Sequence, residues 1–191
     1  PKFCPHFHLS LQSGCDSTLK RMNRHYTTED YLNRCAILRE AFEAPAITTD
    51  VIAGFPGETQ EEFDLTREFL EKVHFYEMHV FKYSRREGTK AAAMKEQIPE
   101  SVKGERSDVL LELERSMSLE YRKQFLNQRV SVLFEEAVEI DGTSYMVGYT
   151  PQYVKTAVPL DGCEESRLSG QIVTVQAKGL LKEDLLLAEL L

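Results

Sequence analysis

The chain has 191 residues, 42% of them hydrophobic, and carries a formal net charge of −8. This length allows one large domain or two small ones with a sizeable core. No run of about 18 apolar residues is present, so a membrane span is not expected, and no charged-then-apolar leader opens the chain, so no signal peptide is predicted. The acidic balance disfavours a uniformly basic nucleic-acid binder but leaves local basic patches open.

The cysteines and histidines do not predict a metal site. The four cysteines lie too far apart to form a C-x2-C cluster. They are Cys4, Cys15, Cys35 and Cys163. In a protein that we expect to be cytoplasmic, free thiols are favoured over disulfides. His6 and His8 lie two residues apart on one predicted strand, but no further ligand is evident beside them, so no metal site is predicted.

The first half of the chain predicts strands that alternate with helices. Strands are predicted over residues 6–12, 46–53 and 77–83, with a helix that begins at Thr27 or Thr28 between the first two. A capping box at Thr59 begins the second helix. The expected buried stripe of that helix is Phe63, Thr66, Leu70 and Val73. This β-α-β-α-β order with short connections predicts parallel strands with crossover helices.

The second half predicts a long helix over residues 101–126 and then a change of period. Short apolar or alternating segments follow, with a hairpin signal at Asp141-Gly142. They cover residues 130–134, 144–149, 154–159, 172–177 and 185–190. Five short strands in this length predict a small closed barrel. We therefore expect two domains, residues 1–123 and 124–191.

Three strings place polar residues where a predicted strand ends. Residues 7–16 end in Gln-Ser-Gly-Cys-Asp, residues 49–59 contain the turn Gly-Phe-Pro-Gly-Glu, and residues 80–89 read Val-Phe-Lys-Tyr-Ser-Arg-Arg-Glu-Gly-Thr. In parallel α/β folds the carboxyl ends of the strands carry the ligand site. Glycine in the second string allows a positive φ and a close backbone approach, and the helix after it offers unpaired N–H groups.

Together these strings resemble the radical S-adenosylmethionine (SAM) tRNA methylthiotransferases, and the spelling around Cys15 is most similar to the threonylcarbamoyladenosine subgroup. The resemblance covers nearly the whole chain. It implies an α/β fold in which the last three parallel strands of a radical SAM (β/α) barrel precede a small all-β, OB-like TRAM barrel at residues 124–191.

The resemblance also implies which residues bind the cofactor SAM. Gln12 and Ser13 would lie at the carboxyl end of the first strand, where a glutamine amide suits a polar cofactor. The strand before Gly54 would back the adenine. Phe81 belongs to the third string, and Arg86 takes the position of the family arginine, whose fork suits a carboxylate or phosphate. The competing interpretation for Gln12 is a structural hydrogen bond, and that for the two arginines is a solvated loop, to which Arg85 is assigned.

RNA contacts are predicted in two places. Lys20, Arg21 and Arg24 form a dense basic cluster after the first string, which predicts either a solvated helix face or phosphate contacts. The resemblance of the last 68 residues to a TRAM module implies base stacking on tyrosines and phosphate contacts from basic residues. The candidates there are Arg129, Tyr149, Tyr153 and Lys155. Surface packing of the tyrosines is the alternative.

Enzymes of this family attach a methylthio group to C2 of a tRNA adenosine with SAM and two [4Fe-4S] clusters, and both cluster-binding cysteine triads are absent from this sequence. Pro at position 1 also suggests a fragment. We therefore expect an inactive C-terminal portion that holds no cluster, whose partners are tRNA, SAM and the missing N-terminal part. Residues 1–12 are expected either to mediate self-association or to be poorly ordered. The alternatives are the isopentenyladenosine branch, another radical SAM enzyme that hydroxylates or forms rings, and a non-catalytic RNA-binding module.

Overall fold

The computed structural model describes residues 3–160 and 165–191. Cys163 lies outside these residues. The described chain separates into two compact units, Phe7–Met117 and Ser118–Leu191, the latter together with residues 3–6. No helix within the described ranges has the length and apolarity needed to cross a bilayer.

The first unit contains a three-stranded sheet in the order β1-β2-β3. These strands are β1 (His6–His8), β2 (Ala46–Ala53) and β3 (Glu77–Lys82). The predicted parallel arrangement is confirmed, because β2 and β3 pair in parallel and Gln12 forms a parallel bridge to Val51. The first strand is shorter than predicted. The Leu11 N–H donates to Thr49 Oγ1 instead of a backbone carbonyl, and Gln12 turns the chain with a φ of +74°.

Five helices belong to this half of the chain. They are α1 (Asp16–Arg21), α2 (Thr28–Ala41), α3 (Gln60–Val73), α4 (Lys90–Ala93) and α5 (Glu100–Lys123). Helices α2 and α3 both begin with a capping box, in which an N-cap threonine and the acidic residue three positions later satisfy each other's backbone N–H groups. The predicted stripe of α3 is confirmed as buried. Helix α5 ends three residues earlier than the prediction.

The core of the first unit lies on one face of the sheet. Strand side chains alternate between faces, and those of Ile47, Val51 and Met78 pack against helices α2, α3 and α5. Phe75, Leu110 and the rest of this cluster are almost wholly buried. The opposite face of the sheet keeps polar residues, and this face holds the candidate site.

The second unit is an all-β barrel. Its strands are β4 (Arg129–Ile140), β5 (Thr143–Tyr149), β6 (Lys155–Pro159), β7 (Ile172–Lys182) and β8 (Leu185–Leu190), and a short helix, α6 (Glu165–Leu168), precedes β7. The strands close in the order β4-β5-β6-β8-β7. The predicted hairpin is confirmed, because Asp141 and Gly142 both have a positive φ between β4 and β5. Strands β4 and β7 run longer than predicted because register shifts let them bend and continue around the barrel.

Candidate functional site

A cleft of about 510 Å³ lies at the carboxyl ends of the parallel strands. All three predicted strings contribute to its wall, because the parallel sheet brings the ends of its strands to one edge. The lining residues are Gln12, Asp50, Ile52, Phe81, Lys82, Tyr83, Ser84, Arg86, Thr89 and Ala91. Of the five residues predicted to bind the cofactor, the structure brings Gln12, Phe81 and Arg86 together here.

Gln12 is the most constrained residue of the cleft. Its φ of +74° places a non-glycine residue in the left-handed region, which costs on the order of 1 kcal/mol or more and is typical of functional sites. Two backbone hydrogen bonds to β2 hold it there, from Gln12 N to Asp50 O at 2.8 Å and from Ile52 N to Gln12 O at 2.9 Å. The backbone of Gln12 is therefore held at the strand end by the sheet itself.

Apolar and polar surfaces meet in this cleft. Phe81 is 54% exposed although it lies on a sheet strand, and the register pairs it with Ile52. The hydroxyl of Tyr83 is buried and, among the described residues, has no hydrogen-bond partner. The exposed Phe81 ring therefore offers an apolar surface that suits a flat heterocycle.

The structure separates the roles of the two adjacent arginines. Arg85 Nε donates to the Ala92 carbonyl at 3.0 Å, so Arg85 holds the loop against α4. Arg86 lines the cleft instead, and its carbonyl accepts the hydroxyl of Thr89 at 2.8 Å. The Arg85 guanidinium therefore stabilises the conformation of this loop, whereas Arg86 lies in the cleft wall.

Gly54 lies outside the cleft wall and shapes the turn after β2. Its φ is +74°, and a Cβ there would stand 2.5 Å from Lys103 Cγ. Its N–H donates to Glu58 Oε2 at 2.8 Å, and Arg106 Nη1 donates to the same oxygen at 2.7 Å. Burial raises the pKa of the Glu58 carboxyl, and these two donors offset part of that rise. This buried pair was missed by sequence reasoning, since its partners lie 48 residues apart.

Ser13 also lies outside the cleft wall. It is fully buried, and its hydroxyl contacts Thr66 Oγ1 at 3.1 Å and accepts the Cys15 N–H at 3.2 Å. The next residue, Gly14, packs so closely on α3 that a Cβ would stand 2.8 Å from that of Phe69. Ser13 therefore anchors the turn that follows Gln12.

The basic cluster is divided by its contacts. Arg21 forms an ion pair with Glu62, with a hydrogen bond of 2.8 Å from Nη1 to Oε1. These bonds lower the pKa of the Glu62 carboxyl to about 2 and raise that of Arg21. Lys20 and Arg24 are exposed. The structure therefore commits Arg21 to the α1–α3 contact and leaves the other two cations on the surface.

The second unit brings three of its four candidate residues together. Tyr149 faces Lys155 in the β5–β6 register, and the Tyr149 and Tyr153 rings are 6.2 Å apart. Tyr153 is 55% exposed. Arg129 lies elsewhere, opposite Gln176 on β7, four residues or about 13 Å along β4 from the position that faces Tyr149.

Sequence reasoning also missed a polar cluster that shares Asp50 with the cleft wall. His8, Asp50 and His79 lie side by side on β1, β2 and β3, with their ligand atoms within 4.8 Å of one another. The prediction that no further ligand accompanies His8 was wrong. The missing signal was the register, because Asp50 and His79 become neighbours only when β2 and β3 are aligned in parallel.

Iron–sulfur clusters do not fit the described residues. The three described cysteines are free, and two of them, Cys15 and Cys35, are buried. Burial raises the pKa of the Cys35 thiol to about 11, which disfavours the thiolate that an iron ligand must be. The prediction of free thiols is confirmed for these three.

Comparison with known proteins gives the same family as the motifs. Residues 2–70 match the family model of the Radical SAM superfamily. The chain is 43% identical over 176 residues to the threonylcarbamoyladenosine tRNA methylthiotransferase MtaB of Bacillus subtilis, covering 92% of this chain and 38% of that protein. It is 44% identical over 155 residues to the protein of the same name from Thermotoga maritima, covering 81% and 35%.

A relative that is named for a different nucleoside has a comparable identity to this chain. The tRNA-2-methylthio-N(6)-dimethylallyladenosine synthase of Acetivibrio thermocellus is 49% identical over 134 residues, covering 70% of this chain and 28% of that protein. The chain thus spans between 28% and 38% of the length of these three relatives.

Among solved structures, coproporphyrinogen III oxidase (HemN) of Escherichia coli, described as a radical SAM enzyme, superposes with a TM-score of 0.51 at 12% identity, over 91% of this chain and 41% of that one. That likeness concerns the fold alone. The recognition made from the three strings is confirmed: the chain is a sequence relative of the radical SAM tRNA methylthiotransferases.

Proposed function

We propose that this chain is the C-terminal portion of a cytoplasmic enzyme that methylthiolates C2 of N6-threonylcarbamoyladenosine at position 37 of tRNA, with SAM and two [4Fe-4S] clusters bound by the whole protein. The observation that carries the proposal is the convergence of Gln12, Phe81 and Arg86 on one cleft, in a chain 43% identical to an enzyme of that name. The described residues supply no cluster ligands, so this portion alone is inactive.

In this proposal the cleft holds part of SAM. Phe81 and Ile52 supply the apolar surface for the adenine, the Gln12 amide bonds a polar edge, and the Arg86 fork pairs with a carboxylate or with tRNA phosphate. Bound at a cluster, one SAM molecule would supply the radical on cleavage, and a further SAM molecule would supply the methyl group. Ser13 and Gly54 do not contact SAM in this proposal; each stabilises a turn beside the cleft.

We also propose that residues 124–191 form a TRAM domain that binds tRNA, separate from the radical SAM portion at residues 1–123. Tyr149 and Tyr153 offer surfaces on which bases can stack, and Lys155 offers a phosphate contact. Proteins that bind single-stranded nucleic acid commonly combine aromatic and basic side chains in this way. Lys20 and Arg24 add cations from the first unit. Arg129 and Arg21 contribute less, because one is distant along β4 and the other is paired with Glu62.

The missing N-terminal part is the further proposed partner. Strands β1 and β3 lie at the edges of the sheet, and an exposed edge pairs with another chain. In the whole protein the preceding barrel strands would occupy the β1 edge, and in the isolated chain self-association through residues 1–12 would do so. Light scattering at increasing concentration tests this, and a strictly monomeric chain whose first strand resists hydrogen exchange contradicts it.

Mass spectrometry of tRNA nucleosides from a strain without the gene tests the reaction. We expect loss of 2-methylthio-N6-threonylcarbamoyladenosine and its return with the wild-type gene. Loss of the dimethylallyl counterpart instead would establish the second candidate function, which the 49% identical relative favours. Retention of both methylthio nucleosides would reject the enzyme and favour the RNA-binding module.

A further inference from the structure

Three potential metal ligands meet on the polar face of the sheet. His8, Asp50 and His79 come from three neighbouring strands, and each brings one ligand atom to within 4.8 Å of the others. The His8 and His79 rings are 5.9 Å apart, and Asp50 faces His79 in the strand register. We propose that this His–Asp–His cluster binds one divalent transition-metal ion of the zinc class, separate from any iron–sulfur cluster.

Two of the ligands already stand at the right distance. His8 Nε2 lies 3.2 Å from Asp50 Oδ2. Two ligands of one tetrahedral zinc ion, each bonded at 2.0–2.1 Å, stand about 3.3 Å apart. Asp50 and His8 are fixed by the strands that carry them. His79 is exposed, so rotation of its ring brings the third nitrogen to the ion without disturbing the core.

The surrounding hydroxyl groups orient both of these ligands. Thr48 Oγ1 lies 2.9 Å from His8 Nδ1, and the hydroxyl of Ser10 donates to Asp50 Oδ2 at 2.9 Å. Thr48 is 2% exposed, and its hydroxyl either donates or accepts. When a metal takes the lone pair of Nε2, the proton lies on Nδ1 and is donated to Thr48. Such outer partners fix the tautomer and typically contribute tenfold or more to metal affinity.

The donor set selects the kind of metal. Two imidazoles and one carboxylate suit Zn²⁺, Fe²⁺, Co²⁺ and Ni²⁺, whereas Mg²⁺ and Ca²⁺ prefer oxygen ligands throughout. Three protein ligands leave at least one position for water or another molecule. Asp50 also lines the cleft, so an ion held here is part of its wall. The proposal does not depend on the enzyme's reaction, because the ligands belong to this chain.

Calorimetric titration of the metal-free 191-residue chain with Zn²⁺ tests the site, with Mg²⁺ as the comparison ion. We expect one Zn²⁺ per chain, no Mg²⁺ uptake, and affinity at least about tenfold lower in His79→Ala and Asp50→Asn. Visible absorption of the Co²⁺ complex should show nitrogen and oxygen ligation without a thiolate charge-transfer band. Because His79 is exposed, His79→Ala should keep the wild-type melting temperature. If Asp50→Asn is unstable, the Zn²⁺ affinity of His79→Ala alone tests the proposal.

The control variants are Cys4→Ser and His25→Ala, which remove an exposed thiol and an exposed imidazole outside the cluster. Both should bind Zn²⁺ as the wild type does. Absence of Zn²⁺ binding, unchanged affinity in a folded His79→Ala, or loss of binding in Cys4→Ser would each overturn the proposal. In the first case the cluster is a hydrogen-bonded network alone.

Discussion

The two units present their chemistry in different ways. In Phe7–Met117 the candidate residues extend from β1, β2 and β3, whose other face packs on the helices, so the site shares its strands with the core. In the barrel each strand has two neighbours, and Tyr153 stands on an exposed loop between β5 and β6. Substitutions in the first site should therefore affect folding more readily than substitutions in the second.

The largest expected effect is a loss of stability in the first unit alone. Arg106→Met leaves the buried Glu58 carboxylate without its ion-pair partner, although the Gly54 N–H still donates to it. Removal of one partner of a buried pair costs about 3–5 kcal/mol. Urea unfolding, followed by hydrogen exchange, should show the first unit opening at lower denaturant while the barrel amides keep their protection.

The matched control is Arg115→Met, which removes an exposed arginine that pairs with Glu112 on the same helix. It should change the free energy of unfolding by no more than about 0.5 kcal/mol. Equal destabilisation by both variants, or simultaneous loss of barrel protection in Arg106→Met, would show that the two units do not respond separately.

The next effect concerns the cleft. Arg86→Ala in the whole enzyme should lower methylthiolation at least tenfold without unfolding it, because an arginine bond to a carboxylate or phosphate is worth about 1.5–3 kcal/mol. Quantification of the methylthio nucleoside in tRNA measures this, with the melting temperature recorded in parallel. Arg85→Ala, which removes the neighbouring arginine that bonds the Ala92 carbonyl, should lower activity less than Arg86→Ala does. Unchanged activity or a large stability loss in Arg86→Ala would indicate a structural role.

A smaller effect is expected for Tyr153 in the barrel. Tyr153→Ala should weaken binding of an anticodon stem–loop RNA by about 1–3 kcal/mol, the usual contribution of one stacked base, with no loss of barrel stability because the ring is 55% exposed. Tyr153→Phe should bind nearly as well as the wild type. Ile172→Ala, at another exposed position, serves as the control, and equal weakening there would reject Tyr153 as a stacking surface.

Sequence patterns correctly predicted the elements that depend on interactions between residues close in sequence. The Thr59 capping box and the four-residue stripe of α3 were both read from spacing alone, and so was the turn at Asp141-Gly142. The strings located the cleft through Gln12, Phe81 and Arg86, because parallel strands end at one edge. The left-handed Gln12 was not predicted, since only its bonds to β2 hold it in that conformation.

Pairings between distant segments escaped prediction. Glu58–Arg106 and Arg21–Glu62 each join residues more than 40 positions apart, and no periodicity indicates which charge meets which. The spacing of Lys20, Arg21 and Arg24 predicts a solvated face or phosphate contacts, whereas the Arg21 guanidinium is paired with Glu62. The cluster around His8 escaped for the same reason, because it requires the register of all three strands.

The smallest expected effect is a pH dependence that arises from the Arg21–Glu62 pair. The hydrogen bond from Arg21 lowers the pKa of Glu62 in the folded chain to about 2, below its ordinary value of 4.5. A carboxyl with a depressed pKa stabilises the fold at pH values above its ordinary pKa, and that contribution is lost as the pH falls from about 4.5 through about 2. Because solvent screens this partly exposed pair, we expect the loss to amount to about 1 kcal/mol.

Glu62→Gln isolates the charge, because an amide keeps the capping-box bond to the Thr59 N–H. This variant should unfold more easily than the wild type at neutral pH, and the difference should shrink as the pH falls from about 4.5 towards 2. Urea unfolding at a series of pH values measures both. Glu71→Gln, which removes an exposed partner of Arg67 on the same helix, should leave the wild-type pH profile nearly unchanged. A difference between Glu62→Gln and the wild type that stays constant with pH would mean that Glu62 stabilises α3 through its cap and not through its charge.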